Sequence, residues 1–157
     1  MAALVLASIV GLAQLARAEP TPEAVFVPGD PIYAKMLRSA TTLDKQCLSR
    51  YHANDYHVSA RLCEDAAKAH DAAAKQSLLA AETEYELLVG ATLRMDAAMS
   101  NYVENADALA RAQARAAIQV FSGIATSKSA PPDLVRYAQS SREDARKNIA
   151  MMEAIPK

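Results

Sequence analysis

Glycine, cysteine and aromatic residues are scarce in this chain, and the first two scarcities exclude classes of function. The four glycines, Gly11, Gly29, Gly90 and Gly123, lie far apart, so no glycine-rich loop can surround a phosphate with backbone amides. Nucleotide-binding folds of that kind are therefore excluded. The two cysteines form neither a Cys-x-x-Cys redox motif nor a haem-attachment motif. No cluster of lysine and arginine stands out and the formal net charge is -1, so nucleic acid is not an expected partner.

The residues that dominate the chain are those of helices. Aromatic residues make up 5% of the sequence, whereas Ala, Leu, Glu, Arg, Lys and Gln are abundant. We therefore predict an all-α fold of five to six helices, arranged as antiparallel hairpins in a repeat-like array or a small helical bundle. Many inward positions are alanine, so each helix contact buries little apolar area and the fold needs additional support.

The N-terminal residues have the pattern of a secretion signal. Residues 1–18 form an apolar run that ends in a small-x-small site, and a polar segment begins at Glu19. Cleavage between Ala18 and Glu19 would export the protein to the periplasm or the exterior, although no Lys or Arg precedes the run. A core helix or an uncleaved anchor is the alternative, but the apolar stretch within this segment, which Gln14 and Arg17 interrupt, is shorter than the roughly 18 to 20 apolar residues that span a bilayer. We expect no stable membrane insertion after cleavage.

Breaker residues divide the rest of the chain into a linker and one folded domain. Residues 19–31 carry four prolines and are predicted to be a proline-rich linker or arm, followed by a single all-helical domain over residues 32–157. The predicted elements are a helix from Asp30-Pro31 to His52, a turn over 53–55, a helix from Tyr56 to His70, a third from Ala72, a fourth capped by Asn101 or Asn105 and ending by Gly123, a loop over 127–132, and a last helix opened by Pro131-Pro132. Gly90 either breaks the third helix or lies inside it.

The segment from Ala40 to Ala73 resembles one tetratricopeptide repeat, a helical hairpin of 34 residues. Three residues match the turn of that pattern, Asn54-Asp55-Tyr56, and three match its small crossing positions, Cys47, Ser59 and Ala66. Three positions depart from it, namely Leu43, Gln46 and Asp71. A second register places Ala98, Ala110 and Ala117 at the small positions. The resemblance implies a helical scaffold that offers a concave groove to a peptide or protein and carries out no catalysis; an ordinary helical bundle with one coincidental turn is the alternative.

Both cysteines lie in one short stretch, Cys47 to Cys63, which also contains two of the three histidines. A zinc site using Cys47, His52, His57 and Cys63 has suitable ligand types, but about five or six residues of helix, roughly 8 Å, separate the cysteine pair from the histidine pair. A disulfide between Cys47 and Cys63 fits both the helical hairpin and an oxidising compartment. Two buried thiols are the alternative, and a weak metal site of His52 and His57 near the turn stays open.

The remaining polar candidates are weak as catalytic motifs. Glu82 and Glu86 lie four residues apart on one helix face, but no Glu-x-x-His accompanies them, so we expect a solvated face rather than a metal site. His70 precedes Asp71 at an expected helix end, with no nucleophile in a recognisable turn nearby. The methionines Met95, Met99, Met151 and Met152 are expected in the core, with an adaptable apolar groove as the alternative.

Together these features predict an exported, non-enzymatic helical scaffold that binds another protein or peptide and needs no cofactor. The alternative is a small-ligand or metal-binding helical bundle that uses His52, His57 or the methionines.

Overall fold

A computed structural model of the protein describes residues 31–154, and they form five helices. The helices are α1 (Pro31–His52), α2 (Tyr56–Gln76), α3 (Ala80–Val103), α4 (Asp107–Thr126) and α5 (Pro132–Ala154). The predicted all-α class is confirmed, and within residues 31–154 there is no strand. The predicted secretion signal over 1–18, its cleavage site at Ala18 and Glu19, and the linker up to residue 30 lie outside the described residues.

The helices form an open, sequential array. Each one packs against its neighbours in the chain, and α3 also touches α5 over a short stretch, whereas α1 and α5 make no extended contact. The four short connections reverse the chain each time, so successive helices run antiparallel. None of the helices between residues 31 and 154 has the length and apolar character that would let it cross a membrane.

Two successive hairpins, α1–α2 and α3–α4, share the same turn. Asn54 and Asn105 stand in the left-handed region, with φ of 59° and 62°, and asparagine tolerates that conformation better than most residues. The backbone hydrogen bonds around them are equivalent, since the residue after each asparagine donates to a carbonyl five residues earlier, Asp55 to Arg50 and Ala106 to Asn101. The chain therefore repeats a helical hairpin at a spacing of 51 residues.

Small residues occupy the crossing positions of both hairpins. The two predicted triads, Cys47, Ser59, Ala66 and Ala98, Ala110, Ala117, correspond to each other at the same 51-residue spacing, and all six residues are 0% exposed. Their small side chains let the helix backbones approach closely. The repeat spacing is longer than the 34 residues of a tetratricopeptide repeat, and resemblance to that family stays a prediction.

The connections at the other end of the array, α2–α3 and α4–α5, also resemble each other. Ser77 and Ser127 each follow the last helical residue in extended backbone, and each hydroxyl accepts a bond from the amide two residues on. Both hydroxyls donate to a glutamate of α3, Ser77 to Glu82 at 2.9 Å and Ser127 to Glu84 at 2.7 Å. These bonds tie the connections to the N-terminal end of α3.

Several predicted helix ends are wrong. The α2 helix continues past His70 to Gln76, and α3 begins at Ala80 rather than Ala72, because the break lies at Ser77, where neither glycine nor proline marks it. The α4 helix ends at Thr126 rather than by Gly123, and its N-cap residue is Ala106 rather than Asn101 or Asn105. The starts of α1, α2 and α5 and the turn over 53–55 are confirmed.

The core consists largely of alanine with a few large side chains. One cluster around Leu88 and Phe121 joins α3, α4 and α5, and a second around Met99 and Met152 extends it toward the other end of those helices. The four candidate methionines all pack in or against these clusters, which confirms their expected place in the core. Leu109 of α4 lies outside both clusters and is exposed although it is apolar.

Gly90 lies inside α3, where α2 passes closely over it. A Cβ atom at this position would lie 3.2 Å from the backbone oxygen of Ala67 and 3.0 Å from the Asp71 carboxylate. The glycine therefore permits the close approach of α2 and α3, at a helix-propensity cost of roughly 1 kcal/mol relative to alanine. Gly123, in the exposed part of α4, has nothing within 4 Å of the same added atom.

We predict that Gly90→Ala destabilises the protein although alanine is the better helix former. Overpacking costs about 1–3 kcal/mol and outweighs the ~1 kcal/mol of helix propensity that alanine gains. Gly123→Ala is the matched control, and it should stabilise by about 0.5–1 kcal/mol because its methyl group meets no neighbour. Urea denaturation of both variants measures the difference, and equal stabilisation of both would show that α2 and α3 are not in close contact at Gly90.

Candidate functional site

The disulfide predicted from the sequence joins α1 to α2. The Cys47 and Cys63 sulfurs are bonded, with a Cα separation of 4.9 Å, and both residues are fully buried. The bond uses both sulfurs, so the four-ligand zinc alternative lacks two of its ligands. In the second hairpin the equivalent positions are alanines, Ala98 and Ala114, which pack in one cluster. The disulfide therefore supports the first hairpin at a place where the second has packed alanines and no covalent bond.

A chain of buried hydroxyl groups continues from the disulfide toward α3. The Ser59 hydroxyl lies 3.4 Å from the Cys47 carbonyl oxygen and 3.5 Å from the Cys63 sulfur, and the Ser100 hydroxyl donates to Ser59 at 3.4 Å. Both serines are fully buried. These contacts place polar groups inside the α1–α2–α3 contact without leaving the hydroxyls unpaired.

A second buried polar cluster lies nearer the other end of the same three helices. The His70 Nδ1 and Glu86 Oε2 atoms are 2.6 Å apart, and the Tyr33 hydroxyl of α1 donates to the other Glu86 oxygen at 3.1 Å. The side chains of His70 and Glu86 are 5% and 1% exposed. The solvated face expected for Glu86 is therefore wrong, because its carboxylate is buried and contacts side chains of α1 and α2. The helix end expected at His70 is also wrong, since α2 continues to Gln76 and the His70 ring contacts Glu86 of α3.

An ion pair borders this cluster. The Arg94 guanidinium of α3 donates through both terminal nitrogens to the two oxygens of Asp71, which follows His70 on α2. Such a bidentate pair has fixed geometry and adds to the helix contact at Gly90. Part of this arrangement has a signal in the sequence, since Glu86, Gly90 and Arg94 follow one another at four-residue spacing on α3. Their partners His70 and Asp71 lie on α2, and the sequence pattern does not indicate that pairing.

The cluster joins α1, α2 and α3 and leaves little of its polar surface exposed. Burial and the nearby Glu86 carboxylate raise the pKa of the Tyr33 hydroxyl above its ordinary value. The His70 Nε2 atom is buried and has no hydrogen-bond partner. With so little of His70 and Glu86 exposed, a substrate in solution has almost no surface of the pair to contact.

The candidate histidines His52 and His57 flank the α1–α2 turn, and both are exposed. The His52 ring makes an edge contact with Tyr51, whose ring also meets Tyr56 edge-on at 5.6 Å. Among residues 31–154 no three histidine, cysteine, aspartate or glutamate side chains lie close enough together to hold a metal ion. The weak two-histidine site at the turn stays a prediction.

A cleft opens between α3 and α5, above α4. Its cavity has a volume of about 60 Å³. It is lined from three helices, with Thr92, Met95, Asp96 and Met99 on α3, Phe121 on α4, and Ser141, Asp144, Ala145, Lys147 and Asn148 on α5. Apolar side chains and charged groups of both signs therefore line one concave site. None of the polar residues singled out from the sequence belongs to this lining.

Comparison with protein-family models, with curated proteins and with solved structures finds no match for this chain.

Removing the disulfide should lower the stability of the fold strongly. Cys47 and Cys63 are 16 residues apart in sequence, and a loop of that size contributes about 3 kcal/mol on the chain-entropy model. The free energy of unfolding of a Cys47→Ala/Cys63→Ala variant should therefore be lower by about that amount in urea titrations. Reductant should destabilise the wild type and leave the double variant unchanged; a wild type indifferent to reductant would contradict the assignment.

The Tyr33–Glu86 contact predicts a stability change at alkaline pH. Because the folded protein favours the neutral phenol, its contribution is fully present below about pH 10, the ordinary tyrosine pKa, and is lost as the pH rises beyond it. The wild type should therefore lose more stability between pH 9 and 11 than a Tyr33→Phe variant. Urea midpoints of both proteins at pH 9 and pH 11 measure this, and parallel pH profiles for the two proteins would disprove the contact.

Proposed function

We propose that the protein is an exported, non-enzymatic helical scaffold that binds another protein or a peptide, and that the α3–α5 cleft receives a side chain of that partner. The observation that carries this proposal is the cleft itself, a concave site between helices with apolar and charged groups side by side. Binding surfaces of this mixed kind are typical of protein recognition.

The size of the cleft favours a protein partner over the small-ligand alternative. Sites for drug-sized ligands enclose roughly 300–1,000 Å³. The cavity between α3 and α5 is about 60 Å³, which suits one inserted side chain. Met95 and Met99, both flexible and polarisable, line it, and methionine adapts readily to a partner's surface.

The open array supports the same proposal. Because α1 and α5 do not close against each other, the outer helices keep a face that no other described helix covers. The Cys47–Cys63 disulfide supports export, since such bonds persist in oxidising compartments. The buried position of the His70–Glu86 pair supports a structural role for the most reactive-looking side chains of the chain.

Filling the cleft should abolish partner binding. Ser141 lines the cleft. Its neighbour Ser140 is exposed on the same helix and does not line the cleft, so Ser141→Phe and Ser140→Phe form a matched pair. Cross-linking and affinity capture from periplasmic or secreted extract should recover a partner with the wild type and Ser140→Phe, and at least about tenfold less with Ser141→Phe, the equivalent of 1.4 kcal/mol.

Thermal melts of both variants confirm that they are folded before capture is compared. Absence of any partner above background with the wild type, or equal capture by the two variants, would overturn the proposal.

A further inference from the structure

A run of exposed apolar residues lies in the α2–α3 connection and the start of α3. Leu78 and Leu79 are 83% and 42% exposed, and Ala80 and Ala81 after them are exposed as well. These four consecutive residues, 78–81, are here called the leucine tip. Single exposed apolar residues are common on protein surfaces, whereas an uninterrupted exposed run marks a contact site.

We infer that the leucine tip enters the surface of a lipid bilayer with anionic headgroups. The tip is a second interaction surface, because none of its residues lines the α3–α5 cleft, and the inference does not rest on the proposed function. With four apolar residues, against the roughly 20 of a spanning helix, the tip reaches into one face of the bilayer only.

A third exposed apolar side chain lies at the same end of the array. Ile32, in the first turn of α1, is 61% exposed. The neighbouring Tyr33 hydroxyl reaches Glu86 near the start of α3, so α1 and α3 begin beside each other. Of the four large apolar side chains that are exposed among the described residues, three therefore lie at this end.

The backbone of the tip is suited to a region that lacks water. The Leu79 amide donates to the Ser77 hydroxyl at 3.2 Å, and the Leu79 carbonyl oxygen accepts the Thr83 amide at 3.0 Å and the Thr83 hydroxyl at 3.2 Å. An unpaired backbone group is costly in the apolar part of a bilayer. Leu79 can therefore leave water without losing a backbone hydrogen bond.

Two exposed lysines lie beside the tip. Lys75 is in the last turn of α2, and Lys128 is in the α4–α5 connection, which the Ser127–Glu84 bond holds against the same end of α3. Within residues 31–154 neither ammonium group pairs with a carboxylate. Anionic headgroups attract such ammonium groups, and each lysine near the membrane surface strengthens binding.

The carboxylates of this end are already engaged. Glu82 and Glu84 are half-buried, and each accepts a serine hydroxyl of the adjacent connection, at 2.9 Å and 2.7 Å. The exposed Asp133 pairs with Arg136 on α5. The charges that are exposed and unpaired at this end of the described chain are therefore positive, which is complementary to an anionic lipid surface.

The shape of the tip favours a bilayer over a pocket in another protein. Leu78 is largely exposed, so a protein partner would have to enclose it from several sides. A bilayer does so without a shaped pocket, because its acyl chains are fluid. The leucines would contact the acyl chains while the lysines extend their stems toward the phosphate groups.

The first test is flotation of the full chain with vesicles. Leu78→Ser should lower binding to mixed phosphatidylcholine–phosphatidylglycerol vesicles at least about tenfold, because a leucine side chain is lost from the apolar layer. Leu109→Ser is the matched control and should change nothing, since Leu109 is an exposed leucine in the first turn of α4, at the opposite end of the array.

All three proteins keep the apolar residues 1–18, so binding through that segment is common to them and the ratio reports the tip. Thermal melts show that the variants are folded. Equal binding of the wild type and Leu78→Ser would overturn the inference.

The lysines are tested through the charge of the vesicles. Lys75→Gln/Lys128→Gln should weaken binding to the mixed vesicles at least about fivefold and leave the weaker binding to pure phosphatidylcholine unchanged. Lys45→Gln/Arg61→Gln is the control, since it removes the same charge from exposed positions of α1 and α2 away from the tip. An equal effect of the two double variants would overturn the assignment to an anionic surface.

Methyl NMR with bicelles that contain nitroxide-labelled lipid locates the contact. Resonances of Leu78 and Leu79 should broaden, and those of Leu109 should not. Broadening confined to residues 1–30 would contradict the inference. A photo-cross-link from residue 78 to a protein of the extract, with vesicle binding unaffected by Leu78→Ser, would assign the tip to a protein partner and would also overturn it.

The proposed function fails separately. It is tested by partner capture with Ser141→Phe, whereas the tip is tested by vesicle binding with Leu78→Ser, so a negative result in either experiment leaves the other conclusion in place.

Discussion

The close approach of helices that present alanine is the constraint on which the rest of the structure depends. Fully buried small residues at the crossings of both hairpins, such as Ser59 and Ala110, bring the backbones together but bury little apolar area per contact. Gly90 permits the same close approach of the backbones between α2 and α3. A core of this kind gains less from the hydrophobic effect than a leucine core, so other interactions must hold the helices in register.

Those interactions are covalent at one end of the α1–α2–α3 contact and polar at the other. The Cys47–Cys63 bond closes the first hairpin near its turn, and the Tyr33–Glu86–His70 contacts join the same three helices toward the opposite end. The second hairpin has neither device, but it packs against α5 as well as α2. The cleft thus lies in a part of the array that neither the disulfide nor the buried Tyr33–Glu86–His70 cluster supports.

The position of the cleft also follows from the repeated hairpin arrangement of the helices. Because α3 and α5 touch only briefly, α4 forms the floor between them, and residues of all three helices line the cleft. The reactive-looking His70 and Glu86 lie outside the cleft and join helices instead.

Local residue chemistry by itself determined the helical class, the start of α1 at Pro31, the turn around Asn54, the start of α5 at Pro132 and the disulfide, because proline, asparagine and paired cysteines act over short distances. Only the tertiary structure decided that Glu86 is buried, that α2 continues through His70, and that Asp96 and Asp144 meet in one cleft. A charged residue on a helix face looks solvated in the sequence. Whether that residue is solvated depends on which distant helix covers it, and tertiary packing rather than the local sequence pattern decides which helix does.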